Sequence, residues 1–272
     1  MYEGLFSIEG KNIVITGATG VLGRVIAKGM GLAGANIAIC DIKDAEEFAK
    51  ELSAEGISAR GYFVDVLDKE KIKACCAKIM GDFNRIDVLI NLAGGNVKEA
   101  TTSEKVSFFD LPLEALQKVI ALNLFGGAIL PAQIFGKEMV RNEDGGSIIN
   151  VSSMNAFRPL TRIPGYSAAK AAVSNFTQWL AVHFAQEYNK NIRVNAIAPG
   201  FFVTEQNRYL LYNENGELTP RGKAILAHTP MGRFGKPEEL VGVCIWLASD
   251  ASKFVTGTVI PIDGGFNAFS GV

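Results

Sequence analysis

Along the chain, short runs of β-branched and aliphatic residues alternate with longer stretches in which apolar positions recur at helical spacing. This alternation predicts βαβ units and a parallel sheet. The short runs are Asn12 to Thr16, Asn36 to Cys40, Ser58 to Val64, Val88 to Asn91, Ser147 to Val151, Ile192 to Ala196 and Thr258 to Pro261. They read as near-continuous apolar runs, as strands covered on both faces should. Helices fill most intervals, and Gly34 marks a helix C-terminus before the second strand. The pattern predicts one doubly wound α/β domain over residues 1–272, with a mostly parallel seven-stranded sheet and helices on both faces.

Two stretches interrupt the pattern, Gly95 to Leu111 and Phe201 to His228. Both should leave the carboxyl ends of strands, where ligands bind in such sheets, so substrate specificity is expected there. With 27 basic and 28 acidic residues the net charge is -1, which provides no electrostatic footprint for nucleic acid or an anionic membrane. A small molecule is the expected partner. The first twelve residues lack a basic-then-apolar leader pattern, and no later apolar run looks long enough to span a bilayer, so a cytoplasmic location is expected. Cys40, Cys75, Cys76 and Cys244 have neither zinc-type nor CxxC spacing and are expected to be free, mostly buried thiols. No metal is expected.

The first strand runs into Thr16-Gly17-Ala18-Thr19-Gly20-Val21-Leu22-Gly23. Glycines there let the backbone approach a pyrophosphate, whose charge meets the amides and positive end of the next helix. In this strand-turn-helix context the pattern predicts a Rossmann-type dinucleotide site, and Asp41, at the end of the second strand, lies at about the fingerprint distance, roughly 20 residues on. Asp41 would accept both adenine-ribose hydroxyls and repel a 2′-phosphate, favouring NAD over NADP; the alternative is that it caps the helix beginning near Asp44. Lys43 is the one basic residue positioned to reverse that preference. Asp65-Val66, after the third strand, would face the adenine, or Asp65 would cap the helix from Lys69 to Met80. Asn91-Leu92-Ala93-Gly94 ends the fourth strand, where Ala93 and Gly94 leave room for the second ribose.

The catalytic candidates follow the fifth strand. Ser153 is near its end, and Tyr166 and Lys170 open a long helix, four positions apart and therefore on one face. Tyrosine normally titrates near 10, and a neighbouring cation should bring it closer to neutrality, as proton transfer to a carbonyl oxygen requires. Ser153 would hold the same oxygen. Asn123, polar among Ile120, Leu122 and Leu124, is either a satisfied buried amide or a link from Lys170 to solvent through water.

From about Ile8 to Phe266 the chain resembles the short-chain dehydrogenase/reductase family. The shared elements are Thr16-Gly17 through Gly23, Asn91-Leu92-Ala93-Gly94, Asn123, Ser153, Tyr166, Lys170, Pro199-Gly200 with Thr204, and Ile262-Asp263-Gly264-Gly265. The resemblance implies a catalytic tetrad of Asn123, Ser153, Tyr166 and Lys170, with NADH beneath residues 197–204, and a homotetramer. Leu92 departs from it, since the family often has a second asparagine there. Within the family, residues 93–96, 153–162, 218–234 and 265–271 look most like enzymes that reduce a keto group of a hexuronate. A keto sugar acid needs amides and cations. Asn96, Asn155, Arg158, Arg162 and Arg208 are the candidate substrate contacts, with Lys98, His228 and Arg233 nearby; for each arginine the alternative is a solvated surface position. Gluconate-type and ketoacyl reductases share the same frame, and a catalytically idle NAD-binding module would be marked by lesions at Ser153, Tyr166 or Lys170, none of which is present.

Overall fold

Every apolar run forms a strand in the computed structural model, which describes residues 4–204 and 207–271. The strands are β1 (Asn12–Thr16), β2 (Asn36–Asp41), β3 (Ala59–Phe63), β4 (Val88–Asn91), β5 (Gly146–Val151), β6 (Ile192–Pro199) and β7 (Val259–Ile262). The helices are α1 (Val21–Leu32), α2 (Ala45–Ala54), α3 (Lys69–Phe83), α4 (Leu113–Ile120), α5 (Leu130–Met139), α6 (Pro164–Glu187), α7 (Arg208–Leu211), α8 (Pro220–Ala227) and α9 (Val241–Ala248). The strands pair in parallel in the order β3-β2-β1-β4-β5-β6-β7. The chain winds outward from β1 to β3, then returns to β4 on the other side of β1. That reversal opens a crevice at the carboxyl ends of β1 and β4.

Side-chain alternation along the strands divides the core between two layers. Ile13 and Ile15 of β1 pack with Ile26 and Met30 of α1 and with Cys244 and Leu247 of α9. Val14 points to the other face, with Ile72 and Ile79 of α3, Phe135 of α5 and Leu180 of α6. The expectation of strands covered on both faces holds for the inner ones and fails at the edges: Phe63 of β3 is exposed and β7 is half-buried, because an edge strand has a neighbour on one side only. Gly34 follows α1 at φ 92°, in the left-handed region glycine enters without steric cost. The four cysteines are buried and free.

Two expectations are corrected. The stretch from Phe201 to His228 contains α7 and α8, the latter started by Thr219, whose hydroxyl accepts from the Gly222 amide, and by Pro220. In addition, α4 and α5 are joined through a π-helical segment, Ala121–Ile129, into one helix, Leu113–Met139, long and apolar enough by length and composition to cross a membrane. Its apolar content has a different use, since it packs between the sheet and α6, with 56% of its most apolar window buried.

Candidate active site

The crevice at the β1/β4 reversal is an open cleft of about 960 Å³. Its floor begins with the turn after β1. Gly17 has φ 70°, and a Cβ there would come within 2.6 Å of the Ala93 amide nitrogen, so only glycine permits this approach. The Leu92 amide donates to Thr16 Oγ1 at 3.3 Å, tying the ends of β1 and β4. Gly20 precedes α1 with no side-chain cap, and no acidic residue occupies the first turn, so the helix presents its positive end to the cleft unneutralised. Thr19, Val21 and Leu22 line the same wall. Gly23 does not; it lies against the Gly17 carbonyl and Ala18, where it allows close helix–turn packing.

Asp41 lies on the cleft wall, and its carboxylate accepts from the Thr19 amide (3.1 Å) and the Ile42 amide (2.8 Å). It does not cap α2: Asp44 holds the N-cap position and makes no capping hydrogen bond. Lys43 is also on the rim. Asp65 and Val66 line the cleft as well; Asp65 accepts from the Leu67 amide, whereas the cap of α3 is Asp68, which accepts from Glu70 and Lys71. The capping alternative for Asp65 is thereby removed. A glycine-backed helix end, a carboxylate at the end of β2 and a second at the end of β3 fit a dinucleotide.

At the other end of the cleft, β5 delivers Ser153 and α6 delivers Tyr166 and Lys170. Ser152 fastens strand to helix, donating to the Lys170 carbonyl (3.0 Å) and sharing a hydrogen bond with Ser174 (2.7 Å). Lys170 is buried; its Nζ donates to the Val151 carbonyl at 2.7 Å and lies 5.6 Å from the Tyr166 ring centre. Burial pulls the Lys170 ammonium down to about 8. The expected lowering of Tyr166 is not met in the protein alone: burial raises the phenol, and the adjacent Ser153 hydroxyl only partly offsets this. Asn123 is fully buried and satisfied, donating to the Gly95 carbonyl (2.6 Å) and the Val119 carbonyl (2.8 Å) and accepting from the Gly95 amide (3.1 Å).

Ala93, Gly94, Pro199, Gly200 and Thr204 line the cleft between these two ends. Asn91 does not: it is in the core, donating to Asn150 Oδ1 (2.9 Å), and Asn150 Nδ2 donates to Thr177 Oγ1 (2.9 Å). Among the candidate substrate contacts, Asn96 lines the cleft and the others do not. Asn155 is buried, its side-chain oxygen taken by the Leu160 amide (2.7 Å) and Ser167 (3.4 Å). Arg158 donates through Nε to the Asn267 carbonyl (3.2 Å), and Asn267 is itself held by Asp263. Arg162 is exposed, with its backbone carbonyl bonded to Thr102, and Arg208 stacks 5.1 Å from Tyr212. Arg233 is engaged by both oxygens of Glu239. The sequence reading missed Phe201, Phe202, Asn207 and Leu210, which also line the cleft. Their signal was position, since all four fall in the irregular stretch after β6. Asn207 closes that loop by donating to the Phe202 carbonyl (2.7 Å) and accepting from the Thr204 amide (2.8 Å).

A family model described as enoyl-(acyl carrier protein) reductase matches residues 17–267. An uncharacterized oxidoreductase of Haemophilus influenzae is 48% identical over 279 residues, covering 98% of this chain and 96% of its own. The 5-keto-D-gluconate 5-reductase of Escherichia coli is 36% identical, with 96% and 97% covered. A solved structure from Haemophilus influenzae, provisionally described as a D-mannonate oxidoreductase with bound NAD, superposes with a TM-score of 0.91 at 47% identity, covering 98% of both chains.

Proposed function

The chain belongs to the short-chain dehydrogenase/reductase family, and from that premise we propose that it interconverts D-fructuronate and D-mannonate with NADH. It is an oxidoreductase that uses NAD and acts on a sugar acid. The observation that carries the reading is a single cleft with the dinucleotide-fitting turn and Asp41 at one end and Ser153, Tyr166 and Lys170 at the other. The turn after β1, Asp41 and the residues after β4 and β6 would hold NADH, which would supply a hydride to the substrate carbon. Tyr166 gives its phenolic proton to the carbonyl oxygen, while Ser153 holds that oxygen by a hydrogen bond. Lys170 keeps a positive charge beside the phenolate that remains. Asn96, on the cleft wall, offers its side-chain carbonyl oxygen to a hydroxyl of the substrate, its amide nitrogen being held by Val97 and Thr101. The identity of the hexuronate is supported by the mannonate-directed relative, and the 5-ketogluconate reading by the Escherichia coli relative. We also propose a homotetrameric, cytoplasmic enzyme.

The test is an NADH-oxidation screen with D-fructuronate, 5-keto-D-gluconate, a neutral ketose and a ketoacyl thioester, run in parallel with NADPH. D-Fructuronate is expected to give the highest kcat/KM, and NADH to exceed NADPH because Asp41 disfavours a 2′-phosphate. A higher kcat/KM for the neutral ketose or the thioester would defeat the sugar-acid reading.

A further inference from the structure

We propose that Gly126 and Gly127, in the π-helical segment Ala121–Ile129, are positioning residues that set the two halves of the cofactor cleft separately, Gly127 through Ala93 and Gly126 through Val66. The inference rests on reading this cleft as the NADH site. A π segment inserts an extra residue per turn and commonly marks a functional position in a longer helix. Here it turns three side-chain positions toward two loops that line the cleft. Asn123 holds Gly95 by hydrogen bonds in both directions, 2.6 and 3.1 Å. Gly127 lies under Ala93, two residues before Gly95: a Cβ at Gly127 would be 2.4 Å from the Ala93 carbonyl oxygen.

Gly17 presses on the same residue from the cofactor turn, where a Cβ would be 2.6 Å from the Ala93 nitrogen. Ala93 is therefore wedged between two glycines, with main chain against main chain and no flexible side chain to yield. Gly126 faces the other loop. A Cβ there would be 2.9 Å from Val66 Cγ2 and 3.1 Å from the Val66 carbonyl oxygen. Ala93 adjoins Gly94, which lies beside Asn123 and Lys170, so it belongs to the catalytic half of the cleft. Val66 adjoins Asp65 and belongs to the half containing Asp41. One helical segment thus supports both halves at adjacent residues, and a methyl group at either position must displace a different one.

The experiment compares Gly126→Ala, Gly127→Ala, Val66→Ala, Gly126→Ala with Val66→Ala, and Gly242→Ala, whose Cβ would enter open space, in the full-length protein. AMP serves as the probe of the adenine half, by competition against NADH fluorescence, alongside KM for NADH, kcat and Tm. Gly126→Ala should weaken AMP binding by roughly tenfold, within the range of overpacking costs, whereas in the Val66→Ala background, compared with Val66→Ala alone because Val66 lines the cleft, the same change should cost much less. Gly127→Ala should raise the NADH KM and lower kcat with a smaller loss of AMP affinity than Gly126→Ala, and Gly242→Ala should match the wild type. Equal changes in AMP and NADH affinity in both glycine variants, or no change in either, would overturn the proposal. If Gly127→Ala does not fold, the smaller effect of Gly126→Ala in the Val66→Ala background decides it. A wild-type protein that binds neither NADH nor AMP would instead overturn the reading of the cleft.

Discussion

Tyr166 and Lys170 are displaced in opposite directions by the same cause, the loss of water: the phenol holds its proton more tightly and the ammonium holds its proton less. The proton needed for carbonyl reduction is therefore on Tyr166 at neutral pH. Tyr166→Phe is expected to lower kcat by about 10²- to 10⁴-fold while leaving NADH affinity intact, measured by steady-state turnover and fluorescence titration. Lys170 has its pKa lowered to about 8, so it carries its charge below that pH and loses it above. Since the charged form favours release of the Tyr166 proton, kcat for reduction should fall as pH rises through about 8. In Lys170→Met, the pH profile of the residual activity should lack that limb; its persistence would assign the titration to another group.

At the scale of elements, the ends of the strands divide structural and functional work between neighbouring residues of the same type. Asp68 starts α3, whereas Asp65, three residues earlier, bonds one turn amide and faces the cleft. Asp68→Ala should lower Tm by roughly 2–4 °C with NADH affinity unchanged. Asp65→Ala should do the reverse, weakening NADH with little change in Tm; both are read by thermal melts and NADH titration. The segment between Ser153 and Tyr166 follows the same division. Its asparagine, Asn155, is spent on Leu160 and Ser167, and its arginine, Arg158, on the C-terminal segment through Asn267, so the loop is braced by the residues expected to touch substrate.

At the scale of the molecule, α5 and α6 present a groove of about 440 Å³ lined by Phe176, Trp179, His183 and Tyr188. Trp179 stacks on His183 with ring centres 4.6 Å apart, and Trp179 and Val182 are exposed. An aromatic surface of this kind on two long helices suits burial against another copy. The tetramer is therefore expected to associate partly through this face. Light scattering at micromolar concentration should report a tetrameric mass, and Trp179→Glu should reduce it; a monomeric mass for the wild type would refute the assembly, and a dimer its stoichiometry.

The sequence by itself determined the strand positions, the glycine turn after β1, the carboxylate at the end of β2 and the Ser153, Tyr166 and Lys170 set, because each follows from local periodicity or from a place at the end of a periodic strand or the start of a periodic helix. Only the tertiary structure decided where the remaining polar side chains spend their hydrogen bonds. Asn91 entered a core chain with Asn150, Asn155 braced its own loop, Arg158 reached a residue 109 positions away, and Asp68 displaced Asp65 as the helix cap. The Asn91 and Arg158 bonds join residues 59 and 109 positions apart, which local spacing does not encode, while for Asn155 and Asp68 the folded turns select among several local candidates. The direction of the Tyr166 shift was decided the same way, since a sequence shows the neighbouring lysine but not the packing that removes water from both groups.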